Sequence, residues 1–158
     1  MLRNPFQMEG LKNRVMKDNY LDLFDSKQKA IDHALWLNFK YRIANITFGI
    51  INGPDHNWAV LEEATSKEME MPFLDILPKD LSELSYDKIR HIRMDNNPLP
   101  HWEEITGMFS VMDGEMLRYI LDRKIPLEKL IRFELASRGY DENHRWCGID
   151  KAEEIWLK

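Results

Sequence analysis

The hydrophobic pattern along the chain is mostly helical, and residues that start and stop helices stand where the pattern needs them. Ser26 and Ser85 each precede apolar residues spaced three or four apart, which predicts N-caps there, and either Asp113 or Gly114 is predicted to start the helix that follows. Pro126 suits a helix start, and Gly139 is the expected left-handed stop of that helix. The predicted helices cover about 27–38, 86–94, 101–112, 115–124 and 127–138.

Three further segments have weaker helical signals. The pattern from Thr65 to Glu68 and that from Asp150 to Glu153 both fit a capping box, which predicts a short helix after each cap. The apolar residues Met8, Leu11 and Val15 also have helical spacing, which predicts an amphipathic segment near the start of the chain.

One β-hairpin interrupts the helical pattern. Apolar residues alternate at odd positions in 39–43 and at even positions in 46–50, so the phase change between them predicts a bulge or bend. Residues 52–57 (Asn-Gly-Pro-Asp-His-Asn) are mostly residues that favour turns, and residues 58–61 are predicted to form the return strand. The predicted hairpin therefore covers about 39–51 and 57–62.

These elements predict an α+β fold in one domain, residues 1–158, with the hairpin packed against the C-terminal helices. A chain of 158 residues is long enough to bury a core without disulfides or metals. Its 44% hydrophobic content and net charge of −5 are not those of a disordered chain.

Composition also excludes several functional classes. A single cysteine, Cys147, rules out an intramolecular disulfide and favours a reducing compartment, so we expect a cytoplasmic protein. The longest nearly apolar stretch, 43–51, is shorter than the roughly 20 residues of a membrane helix, and we expect no signal peptide. Basic residues alternate with acidic ones throughout, so we expect neither nucleic acid nor membrane as a partner.

The spacing His144-x-x-Cys147 is that of a metal-ligand pair. A closed zinc site needs four ligands, and the sequence offers no second pair of this kind. A calcium loop over 141–152 fails because Trp146 and Ala152 replace its glycine and glutamate. We therefore expect no metal and no cofactor, and we interpret the segment as a loop in which Trp146 packs and Cys147 is buried.

The candidate binding residues lie on the hairpin loop and around the Pro-x-Pro break that precedes the predicted helix at 101–112. Loops on a rigid scaffold often carry binding residues, and a His three positions before a Glu shares its helical face. A pocket between the hairpin loop and segment 98–104 would collect Asp55, His56, Trp58, His101, Glu104 and Asp113. The alternative for each is structural: turn chemistry for the loop, a solvated helix flank for the His–Glu pair.

The sequence carries no nucleophile elbow and no phosphate-binding loop, so it leaves open whether the protein is an enzyme. Nine Met, five Trp and seven Phe are more apolar bulk than the predicted helices need. Aromatic residues and Met are enriched at interfaces. The leading hypothesis is therefore a small binding or adaptor protein that acts as a homodimer, with a protein partner or a small molecule as its ligand.

Two stretches of the sequence resemble a known group of proteins. They are Ile-Asn-Gly-Pro-Asp-His-Asn-Trp-Ala-Val at 51–60 and a long run from Asn97 onward, which contains Asn-Pro-Leu-Pro-His-Trp-Glu-Glu-Ile and Gly-Met-Phe-Ser-Val-Met-Asp-Gly-Glu. The chain resembles small bacterial proteins of unassigned function encoded on mobile integron gene cassettes, with residues 1–38 weakly placed. The resemblance implies a bacterial, cytoplasmic, often homo-oligomeric protein, in some cases with a small-molecule pocket, and it implies no activity.

Overall fold

The computed structural model describes residues 21–158, which form seven α-helices and a three-stranded antiparallel sheet. The fold class is α+β, as the sequence predicts. The strands are β1 (Leu21–Phe24), β2 (Phe48–Asn52) and β3 (Trp58–Glu62). The helices are α1 (Lys27–Lys40), α2 (Glu63–Glu68), α3 (Tyr86–Met94), α4 (Pro100–Ser110), α5 (Gly114–Asp122), α6 (Leu127–Ser137) and α7 (Ile149–Trp156).

The chain divides into two compact units, Met1–Thr106 and Gly107–Lys158. The first contains the sheet, α1 to α3 and the start of α4, and the second contains α5 to α7. A single domain over residues 1–158 stays a prediction. The helical spacing of residues 8–15 lies outside the described residues. Between residues 21 and 158, no helix is both long and apolar enough to cross a bilayer.

Strand β3 lies in the middle of the sheet and pairs antiparallel with both neighbours. Val60 is opposite Ile50 of β2 and opposite Asp22 of β1. The hairpin of β2 and β3 is confirmed, and its turn contains a 3₁₀ segment, Pro54–His56. Strand β1 is an element that the sequence pattern did not predict.

The sheet is buried on both faces. Phe48 and Ile50 lie on one face of β2, as the alternation at even positions predicts, and they form a cluster with Val60 and buried residues of α1. The helix of this cluster is α1, whereas the sequence pattern predicts the C-terminal helices. Ile51 and neighbouring residues form a second cluster on the other face. A Cβ on Gly49 would lie 2.4 Å from the Phe73 ring, so glycine is what lets this ring cover the sheet.

The first predicted strand begins too early. Helix α1 continues through Lys40, and residues 41–45 form a turn that ends with Asn45 at a φ of 55°. The Asn38 side chain accepts a hydrogen bond of 2.7 Å from the Phe48 backbone N–H and donates one of 3.0 Å to its carbonyl. The change of phase therefore marks a helix end and a turn, which the side chain of Asn38 closes. Residues 39–47 contain no strand.

The predicted N-caps Ser26 and Ser85 are confirmed, and of the two candidates for the start of α5 the cap is Asp113. The side chain of Ser26 accepts from the Lys29 backbone at 3.3 Å, and that of Ser85 accepts from the Lys88 backbone at 3.1 Å. Asp113 accepts from two backbone N–H groups at the start of α5. These bonds satisfy donors that the first helical turn leaves without partners.

Two predicted capping boxes are wrong. Thr65 is buried inside α2, because that helix follows β3 directly and starts after Glu62, which is extended. Helix α7 starts after Gly148, whose φ of 88° turns the chain into the helix, so Asp150 falls inside the first turn. The predicted stop at Gly139 is confirmed by its φ of 72°.

Candidate functional site

A cleft of about 1370 Å³, lined by both charged and apolar residues, lies within the first unit. One wall is residues 22–26 with the first two turns of α1. The other is α3 with the segment that follows it, residues 94–100. Trp102, at the start of α4, also lines it. Small-molecule sites are concave and carry a few convergent polar groups, and this cleft is therefore the candidate site among the described residues.

Two ion pairs join the walls, and the lysine comes from α1 in one pair and from α3 in the other. Lys29 of α1 lies 2.8 Å from the Asp95 carboxylate, and Asp32 of α1 lies 2.9 Å from the ammonium of Lys88 on α3. The Lys29 ammonium also donates to the backbone carbonyl of Asn97. Each wall therefore supplies one lysine and one aspartate, which fixes the spacing between α1, α3 and the segment after α3.

The Asp32 carboxylate is the most buried charge of the cleft. Its side chain is 5% exposed, and it accepts a second hydrogen bond of 3.2 Å from the Gln28 amide. An unpaired carboxylate at such a depth would be costly, so Lys88 and Gln28 are required partners. Asp32 therefore orders the cleft and is not exposed for a ligand.

Asp95 fixes the turn that follows α3. The hydrogen bond from Lys29 holds the pKa of the Asp95 carboxyl below its usual value, the Asn97 backbone N–H acts in the same direction, and slight burial opposes both. This carboxylate therefore stays charged at neutral pH, and it is fully engaged by the protein.

A histidine–aspartate pair stands at the β1 end of the cleft. His33 Nε2 lies 2.6 Å from Asp22 Oδ2. Because a carboxylate only accepts, the neutral His33 ring carries its proton on Nε2. The other nitrogen, Nδ1, is buried and has no hydrogen-bond partner among the described residues. The pair therefore orders the ring, and its basic nitrogen is the buried Nδ1.

The charge of the cleft is negative. Its carboxylates exceed its ammonium groups by two, and both lysines are already paired. The lining charges are Asp22, Asp25, Asp32, Asp95, Lys29 and Lys88. Asp25 is exposed and forms no ion pair or hydrogen bond with the described residues. Phe24, Ile92 and Met94 add apolar surface, so the cleft combines free negative charge with an apolar wall.

The candidate residues of the hairpin loop do not line this cleft. Asp55 and His56 are exposed in the turn, with φ values of 53° and 62°. Trp58 is half-buried on β3, with the Lys27 ammonium 5.2 Å above its ring. The segment after residue 97 contributes Pro98, Leu99 and Pro100 to the cleft, but the wall opposite is α1 and the residues before it.

The other candidates are also outside the cleft. His101 stacks on Trp36, with ring centroids 5.1 Å apart, and burial lowers its pKa. Glu104 is exposed on α4, and Asp113 belongs to the second unit, where it caps α5. The structure thus places His101 in an aromatic contact and Asp113 in a capping role.

The segment 141–147 is a tight turn. His144 stacks on Tyr140 with ring centroids 4.7 Å apart, and Cys147 is half-buried. The expectation that Trp146 packs inside is wrong, because its side chain is 71% exposed. Across residues 21–158 no three His, Cys, Asp or Glu side chains lie close enough to hold a metal ion.

Sequence reasoning missed the residues that build the cleft. The available signal was the spacing of Lys29, Asp32 and His33, which places three polar residues on one side of a helix. Asp32 also stands between the buried residues Ile31 and Ala34 of the same helix. A charge beside an apolar face indicates a partner from another element, but the sequence does not say which.

Comparisons with protein-family models, with curated proteins and with solved structures find no match. The resemblance to cassette-encoded proteins therefore stays a prediction.

Proposed function

We propose that the protein binds a small organic cation in the cleft of the first unit. The observation that carries the proposal is the excess of two carboxylates over ammonium groups in a cleft whose lysines are both paired. A cleft lined by one sign of charge concentrates ligands of the opposite sign.

Two carboxylates of the cleft have capacity left for a ligand. Asp25 forms no ion pair or hydrogen bond with residues 21–158. Asp22 uses Oδ2 for His33, and its side chain is 39% exposed. A primary ammonium has three donors, so it could be shared between two such acceptors.

The apolar wall favours a cation with a hydrophobic body. Phe24 lines the cleft, with its ring centroid 5.1 Å from that of His33, and aromatic faces attract cations. Met94 is 73% exposed, and an unbranched thioether adapts its shape to different ligands. An arylalkyl amine fits this combination better than a simple metal ion.

Anions fit the cleft less well. A phosphate or carboxylate ligand would need an unpaired cation, but Lys29 and Lys88 are bound to Asp95 and Asp32. Freeing Lys88 would leave the buried Asp32 carboxylate without compensation. A ligand bound in this cleft should therefore be a cation, and an anion of the same shape should bind more weakly.

Isothermal titration with three ligands of similar shape tests the proposal. Benzylamine should bind in the millimolar range expected of so small a ligand, whereas benzyl alcohol and benzoate should not. Asp25→Asn should weaken benzylamine binding about tenfold, while the exposed loop variant Asp55→Asn should leave it unchanged. Equal binding of benzylamine and benzyl alcohol, or an unchanged affinity in Asp25→Asn, would overturn the proposal.

A cytoplasmic location is part of the same proposal. It is supported by the use of one cysteine in 158 residues, which is typical of proteins in reducing compartments.

A further inference from the structure

Trp102, in the first turn of α4, carries a hydrogen-bond donor that the protein itself does not use. The residue lines the cleft and is 8% exposed. Its indole Nε1–H is buried and has no hydrogen-bond acceptor among residues 21–158. Indole is only a donor, and a buried donor without an acceptor is costly and rare in native structures. Trp102 therefore needs an acceptor, and the cleft is the open space that this residue borders.

His33 adds an unused acceptor to the lining of the same cleft. Its Nε2 donates to Asp22, so the lone pair of the neutral ring is on Nδ1. This Nδ1 is also buried without a partner among the described residues. His101 Nδ1 has no partner there either, but His101 does not line the cleft. The lining thus includes a buried, unused donor on Trp102 and a buried, unused acceptor on His33.

The N-terminus of α4 also borders the cleft, where Pro98, Leu99 and Pro100 line it. The first turn of a helix leaves backbone N–H groups without intrahelical acceptors, and Leu99 has no side-chain oxygen to accept from them. The helix dipole favours electron-rich atoms at this end. A ligand oxygen is therefore favoured beside α4, whereas the carboxylates of Asp22 and Asp25 are on the other wall.

We propose that the ligand of the cleft is an amino alcohol, whose ammonium group binds Asp22 and Asp25 and whose hydroxyl oxygen accepts from the indole N–H of Trp102. This proposal rests on the proposed cation site and specifies the second polar group of its ligand. Trp102 is then the residue that selects a hydroxylated amine over other cations of the same size.

A hydroxyl group fits these partners better than other oxygen-containing groups do. It accepts from Trp102 and also has a proton for an acceptor such as His33 Nδ1, whereas a ketone or ether oxygen only accepts. A carboxylate has no proton to donate at neutral pH, and the negative charge of Asp22 and Asp25 would repel it. The hydroxyl is therefore the group that matches both unused atoms without adding negative charge.

Isothermal titration with two amines of the same shape tests the proposal. Phenylglycinol is benzylamine with a hydroxymethyl group on the carbon that carries the amine, and α-ethylbenzylamine has an ethyl group in its place. The wild type should bind phenylglycinol about fivefold more tightly, since α-ethylbenzylamine leaves the Trp102 donor unpaired.

Trp102→Phe removes the N–H group and keeps an aromatic ring at this position. The variant should bring the two dissociation constants to within about twofold of each other. The matched control is Trp58→Phe, which lies outside the cleft and should keep the difference of about fivefold. Circular dichroism checks that both variants retain their helices.

The indole resonances of the ¹⁵N-labelled wild type give a second readout that needs no substitution. The Trp102 indole N–H should shift more with phenylglycinol than with α-ethylbenzylamine, because only the hydroxyl forms a new hydrogen bond. If neither amine binds, the cation site is overturned and the amino alcohol with it. If both amines bind equally, or if Trp102→Phe keeps the difference, the cation site stands and the role of Trp102 is overturned.

Discussion

The ammonium of Lys88 lies 2.9 Å from the Asp32 carboxylate, which is 5% exposed, and this contact joins α3 to α1. The reciprocal pair of Lys29 and Asp95 stands on the same two walls. Because each of these two pairs neutralises itself, the carboxylates that remain for the proposed cation are those of Asp22 and Asp25. Asp22 also orders the ring of His33, whereas Asp25 has no bond within the described residues.

Lys88→Met should destabilise the protein by about 2 kcal/mol. Removing one partner of a buried ion pair costs roughly 3–5 kcal/mol, and the remaining Gln28 bond and the 20% exposure of Lys88 reduce that figure. Urea unfolding followed by circular dichroism measures the change. The matched control, Arg90→Met on the same helix, removes an exposed pair with Asp87 and should cost about 0.5 kcal/mol or less. Equal losses in both variants would contradict a structural role for the buried pair.

Asp22→Asn should lower the free energy of unfolding by about 1 kcal/mol. Hydrogen bonds to charged groups contribute about 1.5–3 kcal/mol, and the partial exposure of Asp22 reduces the effect. The ring of His33 should also change its tautomer, because an amide can donate as well as accept. Nitrogen-15 chemical shifts of the imidazole measure this: an Nε2–H ring in the wild type, and loss of that preference in the variant. A wild-type ring protonated on Nδ1 would contradict the geometry.

His101 should make the stability depend on pH in the mildly acidic range. Burial lowers its pKa from 6.5, and His33 acts in the same direction, while Asp32 and Glu104 act against it. The unfolded chain therefore takes up this proton at higher pH than the folded protein does. The contribution of His101 is fully present above about pH 6.5 and is lost as pH falls towards its folded pKa.

The variant His101→Phe keeps a ring against Trp36 and removes the titration. Urea unfolding at intervals between pH 7 and pH 5 should show a smaller loss of stability in the variant than in the wild type. Identical pH profiles would mean that the buried ring of His101 does not contribute to acid destabilisation.

Gly49→Ala should destabilise the protein by about 2 kcal/mol, because its Cβ would overlap the Phe73 ring at 2.4 Å. Gly107→Ala is the matched control: it lies in α4 with open space around its Cβ position. Alanine in a helix should stabilise by about 0.5 kcal/mol. Thermal unfolding of the two variants should therefore shift in opposite directions, and a neutral Gly49→Ala would contradict the contact with Phe73.

Local chemistry predicted most of the fold. The N-caps at Ser26, Ser85 and Asp113 and the stop at Gly139 depend on one or two residues, so their structure follows from the sequence nearby. The hairpin followed from the alternation around the turn at Pro54 in the same way.

The errors came from tertiary context. Strand β1 is four residues long and is defined by pairing with β3, which no local pattern shows. The prediction that the first hairpin strand starts at residue 39 was wrong, because Asn38 closes the turn after α1 by bonding to Phe48, ten residues away. The cleft was missed for the same reason: Asp32 and Lys88 are 56 positions apart in the sequence.

A nuclear magnetic resonance titration of the ¹⁵N-labelled chain tests the proposed cation site most directly. Benzylamine should shift backbone resonances of residues 22–29 and 91–97, with small changes elsewhere, and benzyl alcohol at the same concentration should leave them in place. Shifts that are equal for the two ligands, or that fall outside these two segments, would contradict a cation site in the cleft.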